Sequence, residues 1–170
     1  MEVLNVKASF KIGEDHRLDE NNEDYLFYSA GFVKILKCDE FTFSVMGSDE
    51  RYINITGCKS LKNIDKAVEL FKKKSRVNST LDVKINSISF KFCVTIESFK
   101  LSHLKSSQSN VFNVKTFPRF SGICFKHKKL HIAGNFFLQS KKIVCMGAKS
   151  LIEINEYIRD LQEIGFTLIN

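Results

Sequence analysis

Proline and glycine are scarce in this chain of 170 residues, which has one proline and eight glycines. So few of these residues leave little room for long flexible linkers. No apolar run approaches the roughly 20 residues that a membrane-spanning helix needs, and no N-terminal stretch has the anatomy of a signal peptide. We therefore expect a soluble intracellular protein with no membrane partner.

The cysteine pattern also lacks what two classes of protein require. The five cysteines are odd in number, widely spaced and never arranged as Cys-x-x-Cys. A disulfide framework and a zinc site usually show paired or closely spaced cysteines. We therefore interpret them as buried thiols in a reducing compartment. They are Cys38, Cys58, Cys93, Cys124 and Cys145.

What the chain does contain is material for a core and an uneven charge. Hydrophobic residues make up 44%, with 16 phenylalanines, so disorder is excluded and one domain, or two halves sharing one core, is expected. The net charge is +7, but residues 1–80 balance 13 basic against 13 acidic side chains, whereas residues 81–170 carry 13 against 6. This excess indicates a polyanion partner, although solubility alone also explains it.

Two copies of Gly-x-Lys-Ser organise the chain. They are Gly57-Cys58-Lys59-Ser60 and Gly147-Ala148-Lys149-Ser150. In each copy a strand-like alternation precedes the glycine, and an amphipathic pattern follows the serine. A strand running into the same turn and helix twice predicts an internal duplication, with repeats at 1–80 and 81–170 in one continuous domain.

The apolar periodicity predicts an α+β fold with helices on one face of an antiparallel sheet. The helices are expected at Leu61–Lys74 and Leu151–Ile164, and a short one within Glu14–Ser29 bearing Leu18, Tyr25 and Leu26. Val94–Leu101 is either extended or a short helix. The predicted strands are Val3–Ile12, Phe32–Lys37, Phe41–Met46, Tyr52–Thr56, Leu81–Phe92, Phe117–Phe125, Leu130–Leu138 and Lys142–Met146.

An antiparallel sheet can leave one face open. Alternation places lysine, amide, hydroxyl and small apolar side chains there, a mixture that suits the minor groove of DNA. An ordinary solvent-facing sheet is the alternative. The predicted open face carries Asn5, Lys7, Ser9, Tyr52, Asn54, Thr56, Ser140, Lys142, Val144 and Met146.

These residues resemble a known family. The two Gly-x-Lys-Ser elements are similar to the paired Thr-Gly-Ala-Lys elements of the TATA-binding protein (TBP) core. The first strand, Leu4 to Gly13, the Phe117-Pro118 pair and the block Phe136–Ser150 follow in the order that the family has. The resemblance implies a saddle of two pseudo-symmetric repeats, in which a curved antiparallel sheet sits astride DNA and helices cover the convex face.

The resemblance also implies site residues. Asn5 and Asn86 match the minor-groove asparagines; Phe117 and Leu138 match the intercalating pair of the second repeat, with Phe137 expected to point toward the core. In the first repeat Phe32 is one counterpart, and the other is Phe43 or Val45. Met146 stands where the family has threonine, the partner of Thr56. The implied DNA-binding set is Asn5, Lys7, Ser9, Phe32, Lys37, Phe43, Asn54, Thr56, Lys59, Asn86, Phe117, Pro118, Leu138, Ser140, Lys142, Val144, Met146 and Lys149.

The implied partners are AT-rich double-stranded DNA, general transcription factors and the RNA polymerase machinery. The family's acidic loop before Phe-Pro, which binds the B-type general factor, is replaced by Asn113-Val114-Lys115-Thr116, without carboxylates. The basic helix Leu61–Lys74 is a predicted protein-binding surface or a solvated charged face. Its protein-binding candidates are Lys62, Lys66 and Lys73.

The expected function is therefore binding and bending of AT-rich promoter DNA to nucleate transcription initiation, in the nucleus or at a cytoplasmic transcription site of a large DNA virus. The alternative is an interaction scaffold with altered DNA specificity. We expect no enzyme, cofactor, metal or small-molecule substrate. His127 and His131 have the spacing of some metal sites, but in a turn and strand this spacing does not bring imidazoles together.

Overall fold

A computed structural model describes residues 1–13, 18, 25–27, 33–46, 51–97, 100, 102 and 109–169. The chain forms two compact units, here called the first unit (Asn5–Asn86) and the second unit (Met1–Leu4 with Ser87–Asn170). Their limits are close to the repeats expected at 1–80 and 81–170, and a duplication as their origin stays a prediction.

The first unit contains five strands and a helix among its described residues. Its hydrogen-bonded order is β2-β3-β4-β5-β1, followed by the beginning of β6. The pairs from β2 to β1 are all antiparallel. The elements are β1 (Glu2–Ile12), β2 (Tyr25–Phe27), β3 (Val33–Cys38), β4 (Phe41–Met46), β5 (Tyr52–Cys58) and α1 (Lys62–Ser75).

The second unit repeats this order of strands followed by a helix. Its antiparallel order is β6-β10-β9-β8-β7, and β11 pairs with β6. In the described part of the chain, no helix is both long and apolar enough to cross a membrane. The elements are β6 (Thr80–Thr95), β7 (Phe112–Thr116), β8 (Gly122–His127), β9 (Ala133–Phe137), β10 (Lys142–Ala148), α2 (Leu151–Glu163) and β11 (Thr167–Ile169).

The α+β class and most predicted elements are confirmed, and three local predictions are wrong. Tyr25–Phe27 is a strand paired with β3 rather than part of a helix. Asn113–Thr116 lies in β7 rather than in a loop. The expected strand Phe117–Phe125 is interrupted by a turn, in which the amide of Phe120 donates to the carbonyl of Phe117 at 3.1 Å. Pro118, in this turn, has no amide hydrogen to give to a sheet.

The core of the first unit is aromatic. On β1, Val6, Ala8, Phe10 and Ile12 are buried, as the alternation predicts. Phe71 of α1 packs on Phe10 and Phe43, with ring centroids at 5.1 and 5.2 Å. Because α1 lies on this face of the sheet, the opposite face is where the polar side chains of the strands are found.

Two glycines set the strand-to-helix junctions. Gly57 and Gly147 have φ of 97° and 107°, a region that favours glycine. A Cβ on Gly57 would lie 2.1 Å from the carbonyl oxygen of Glu40, and one on Gly147 would lie 2.0 Å from that of His131. The strand register shifts at both places, so each glycine forms a bulge that turns the chain toward its helix.

The two units place a large and a small core side chain on opposite elements, the sheet and the helix. Phe43 pairs with Ile55, two residues before Gly57, and Ala67 is fully buried ten residues after that glycine. At the same offsets from Gly147, Gly134 pairs with Cys145 and Tyr157 is fully buried. The first unit therefore has its large side chain on the sheet, and the second unit has it on the helix.

Candidate nucleic-acid interface

In each unit the sheet face away from the helix, here called the open face, carries half-buried and exposed side chains. In the first unit, register places Thr56 beside Thr42 and Lys37, and Asn54 beside Ser44 and Ser9. Hydroxyl and amide groups therefore lie side by side on three strands, β1, β4 and β5, and Lys37 extends one row onto β3. Such groups offer both donors and acceptors to a ligand lying on the sheet.

The open face of the second unit is built from three rows. One row is Lys115, Cys124, Asn135, Val144 and Lys91, and the next is Asn113, Lys126, Ala133 and Met146. The third row contains Gly122, Phe137, Lys142 and Cys93. No acidic side chain stands in these rows, so the face is cationic.

Most of the predicted DNA-binding residues that can be placed are accessible. Met146 is 53% exposed, and Val144 beside it is half-buried. Lys59 and Lys149 are exposed at the junctions between strand and helix. Phe32 lies outside the described residues. The other accessible members of the set are Asn5, Lys7, Ser9, Lys37, Asn54, Thr56, Asn86, Phe117, Pro118, Leu138, Ser140 and Lys142.

Phe43 does not lie on the open face, contrary to expectation. Its side chain is 1% exposed and packs against Phe71. Its alternative, Val45, is buried on the same side. Since residues two apart on a strand share a face, neither side chain can reach a ligand on the open face without disrupting the core.

The aromatic end of the second unit also differs from expectation. Phe136, not Phe137, points into the core. Phe137 lies on the open face, where its ring packs edge-on against Phe120 at 5.6 Å. Phe117 and Leu138 are 51% and 42% exposed, so two large apolar side chains remain accessible near this pair.

Two polar contacts organise the first unit's open face beside β6. The hydroxyl of Ser9 donates to Oδ1 of Asn86 at 3.2 Å. Nζ of Lys11 lies 4.7 Å from the ring centroid of Tyr52 and 4.0 Å from a carboxylate oxygen of Asp82. Hydrogen bonding by Tyr52 raises the pKa of Lys11.

Sequence reasoning missed three lysines on the second unit's open face. Lys115 and Lys126 are exposed, and Lys91 is half-buried with Nζ 3.0 Å from a carboxylate oxygen of Glu2. Lys91 lies within the expected strand Leu81–Phe92, where the alternation is a usable signal. Lys126 follows the expected strand Phe117–Phe125 by one residue, and Lys115 lies in β7, where no strand is expected from the sequence.

The lysines proposed for protein binding are exposed on α1. Lys62, Lys66 and Lys73 are all exposed, and Nζ of Lys66 also lies 3.6 Å from Glu40 and 5.7 Å from the ring centroid of Phe41. All three lysines are therefore accessible to a partner on this helix.

The described residues contain no cluster of three His, Cys, Asp or Glu side chains that could hold a metal ion. His127 is buried, and its Nε2 lies 2.8 Å from Oδ2 of Asp160. Its Nδ1 accepts from the backbone amides of Lys129 and Leu130. Both ring nitrogens are therefore used within the fold. His131 is exposed, so the two histidines do not share a site.

A large antiparallel sheet with an open polar face and a helix on the other side of each unit defines a class of α+β folds. No protein-family model matches the chain, and no curated protein matches its sequence. Among solved structures, the TBP of Methanococcus jannaschii is similar, with a TM-score of 0.77, 18% sequence identity and 96% of each chain covered. The chain therefore has a TBP-like fold.

Proposed function

We propose that this protein binds AT-rich double-stranded promoter DNA through the minor groove, bends it and so nucleates transcription initiation. The observation that carries the proposal is the open face of each unit, where amides, hydroxyls and lysines form rows on a TBP-like fold. Hydroxyl and amide groups read the acceptors of the minor groove, and lysines neutralise phosphates. General transcription factors and RNA polymerase are the proposed protein partners, and the nucleus or a viral cytoplasmic transcription site is the proposed location.

The apolar contribution to this binding is proposed to be unequal between the units. Phe117 and Leu138 are exposed and available as wedges in the second unit. In the first unit Phe43 is committed to the core. Since unstacking costs a few kcal/mol per base step and must be offset by wider contact, we expect a smaller bend or a looser sequence preference than two complete wedge pairs would give.

The test is fluorescence anisotropy with AT-rich and GC-rich duplexes across a range of salt concentrations. A preference for the AT-rich duplex, with a steep loss of affinity as salt rises, supports minor-groove binding. The Lys142→Gln variant should lower the salt slope by about one, whereas Arg159→Gln on α2 should leave it unchanged. Equal binding to both duplexes, or none, would overturn the proposal.

The second candidate is an interaction scaffold that recruits other transcription factors. It is favoured by one observation: Ile152, in the first turn of α2, is 78% exposed, and Leu151 beside it is 46% exposed. Exposed apolar pairs on a helix are typical of protein contact sites. If the protein is a scaffold, the Lys142→Gln variant should still bind its protein partner, because Ile152 is unchanged. The Ile152→Ser variant should lose that binding.

A further inference from the structure

A cavity of about 610 Å³ lies on the open face of β7, β8 and β9 in the second unit. Its volume is in the range of about 300 to 1,000 Å³ that small-molecule sites occupy. The side chains at its base are small: Cys124 and Ala133 contribute to its lining, and Gly134, whose Cβ position faces Tyr157 in the core, contributes only backbone. Small side chains on the neighbouring strands β8 and β9 leave a hollow between longer ones, which form its walls.

The walls of this cavity are cationic. Lys115, Lys126 and Lys128 line it, and none of the lining residues that the structure describes is acidic. None of the three makes an ion pair with a described residue, and Nζ of Lys128 donates to the carbonyl of Ser109 at 2.7 Å. Three like charges around one hollow repel one another, so an anion bound between them relieves that repulsion.

Two amides complete the lining. Register places Asn135 next to Cys124 in the row that begins at Lys115, and Asn113 next to Lys126 in the adjoining row. Lys115 on β7 therefore lies in the same row as Asn135 on β9, and Lys126 lies directly beside Asn113. An asparagine side chain offers a donor and an acceptor together, which matches the edge of a nucleic-acid base, adenine in particular.

We propose that this cavity, here called the lysine cavity, binds a nucleotide, with Lys115 and Lys126 at its phosphate and Asn113 and Asn135 at the edge of its base. The inference goes beyond the proposed function, because a single nucleotide needs no duplex and no bending. Counted from the two junction glycines, Cys124 corresponds to Ile35 of the first unit. Among the residues that the structure describes, the first unit therefore does not repeat this small side chain at the base.

Two cysteines of the chain allow ligand binding in the lysine cavity to be measured. Cys124 lines the cavity, whereas Cys93 lies on the same open face beside Lys142 and does not line it. Both thiols are half-buried. We expect dAMP to slow alkylation of Cys124 by iodoacetamide and to leave Cys93 unchanged, as measured by peptide mass spectrometry on the intact chain.

Inorganic phosphate is the comparison ligand. It should protect Cys124 at least about tenfold less well than dAMP at equal concentration, because it lacks the base that the amides recognise. Three outcomes would overturn the proposal. In the first, phosphate protects Cys124 as well as dAMP does; in the second, dAMP protects Cys93 and Cys124 equally; in the third, dAMP does not protect Cys124 at all.

Matched variants test the assigned residues. The Lys115→Gln/Lys126→Gln double variant should require about tenfold more dAMP to protect Cys124, because two charge-assisted contacts are lost. Lys129→Gln removes one positive charge from the turn after β8 without touching the lining, and dAMP should protect Cys124 in it as in the native chain. Unchanged protection in the double variant, with a native circular dichroism spectrum, would contradict the assignment.

The source of the nucleotide is settled by a third arm with a single-stranded deoxyadenosine oligonucleotide. Protection at lower concentration than dAMP identifies a nucleotide within a strand, and equal or weaker protection identifies a free one; both support the cavity. The anisotropy test with DNA duplexes has an outcome that is independent of cysteine protection. Absence of AT preference with retained Cys124 protection would remove the proposed function and leave the lysine cavity standing, and the reverse result would do the opposite.

Discussion

Nε2 of His127, at the end of β8, lies 2.8 Å from Oδ2 of Asp160 on α2, and the histidine side chain is 2% exposed. Since Nδ1 of the same ring accepts from two backbone amides, Nε2 is the nitrogen that carries the hydrogen and donates to Asp160. The imidazole thus holds the turn after β8 to the helix. Removing it would leave both a carboxylate and two amides without this partner.

The His127→Ala variant should be less stable by about 3 kcal/mol, because it deletes a buried partner of a charged group and leaves space among Phe112 and Tyr157. Asp160→Asn should lose about 1 kcal/mol, because its amide oxygen still accepts from Nε2. Urea unfolding followed by circular dichroism measures both. A smaller loss for His127→Ala than for Asp160→Asn would contradict this account.

Gly147→Ala should prevent normal folding of the second unit. A Cβ there would lie 2.0 Å from the carbonyl oxygen of His131, a backbone atom that cannot move aside cheaply, and φ is positive. Soluble yield and thermal unfolding provide the measurement, and the expected loss exceeds about 4 kcal/mol.

Gly165→Ala is the matched control for that variant. Its φ is also positive, at 102°, but its Cβ would meet a side-chain atom, Cδ of the flexible Lys100 at 2.8 Å, rather than a backbone carbonyl. Only the conformational cost of about 1 kcal/mol is expected. Equal losses in the two variants would show that φ alone, rather than the close carbonyl, decides the need for glycine at 147.

The second unit should lose stability in alkaline solution. Burial raises the pKa of the Cys145 thiol from 9.0 to about 12, and burial also raises the pKa of the Tyr157 hydroxyl well above 10.0. Both groups are easier to ionise in the unfolded chain, so their stabilising effect is complete below about pH 9 and is lost as pH rises from there through the folded-state values.

Urea unfolding between about pH 8 and pH 11 measures this slope, and the Cys145→Ala/Tyr157→Phe double variant should flatten it. The same burial predicts that Cys145 resists alkylation in the folded chain while Cys93 and Cys124 react. An unchanged alkaline slope in the double variant would assign the loss to other groups.

Phe43→Ala and Phe117→Ala should separate folding from binding. Phe43 is 1% exposed and packed on Phe71, so its removal should cost about 3 to 5 kcal/mol. Phe117 is 51% exposed, so its removal should leave stability within about 0.5 kcal/mol and weaken binding to the AT-rich duplex. Urea unfolding and anisotropy on both variants measure the two effects; a stable Phe43→Ala variant with impaired DNA binding would reverse this assignment.

Alternation predicted the faces of the long strands because one face of each is buried. Val6, Ala8 and Phe10 on β1 follow that rule. Phe43 follows it too, since it alternates with Thr42 and Ser44 on β4, but the family resemblance outweighed the pattern. The strand periodicity was the better guide at that position.

The sequence pattern did not predict which residues pair across a turn between two strands. The family resemblance implies that Phe137 points toward the core, but the pairing across the turn at 138–141 decides its face. That turn joins Phe137 to Lys142 as Cα partners, so the two share the open face. The lysine cavity was hidden for the same reason, because Lys115, Cys124 and Asn135 meet only through the register of three strands.

The exchange of large and small side chains between the cores has an evolutionary consequence. Phe43 with Ala67, and Gly134 with Tyr157, each fill their unit in a complementary way. Enlarging Gly134 would drive a side chain into the Tyr157 hydroxyl, 2.4 Å from its Cβ position. Substitutions within each pair are therefore epistatic, and homologues should change both members together, so that a glycine at position 43 accompanies an aromatic residue at position 67.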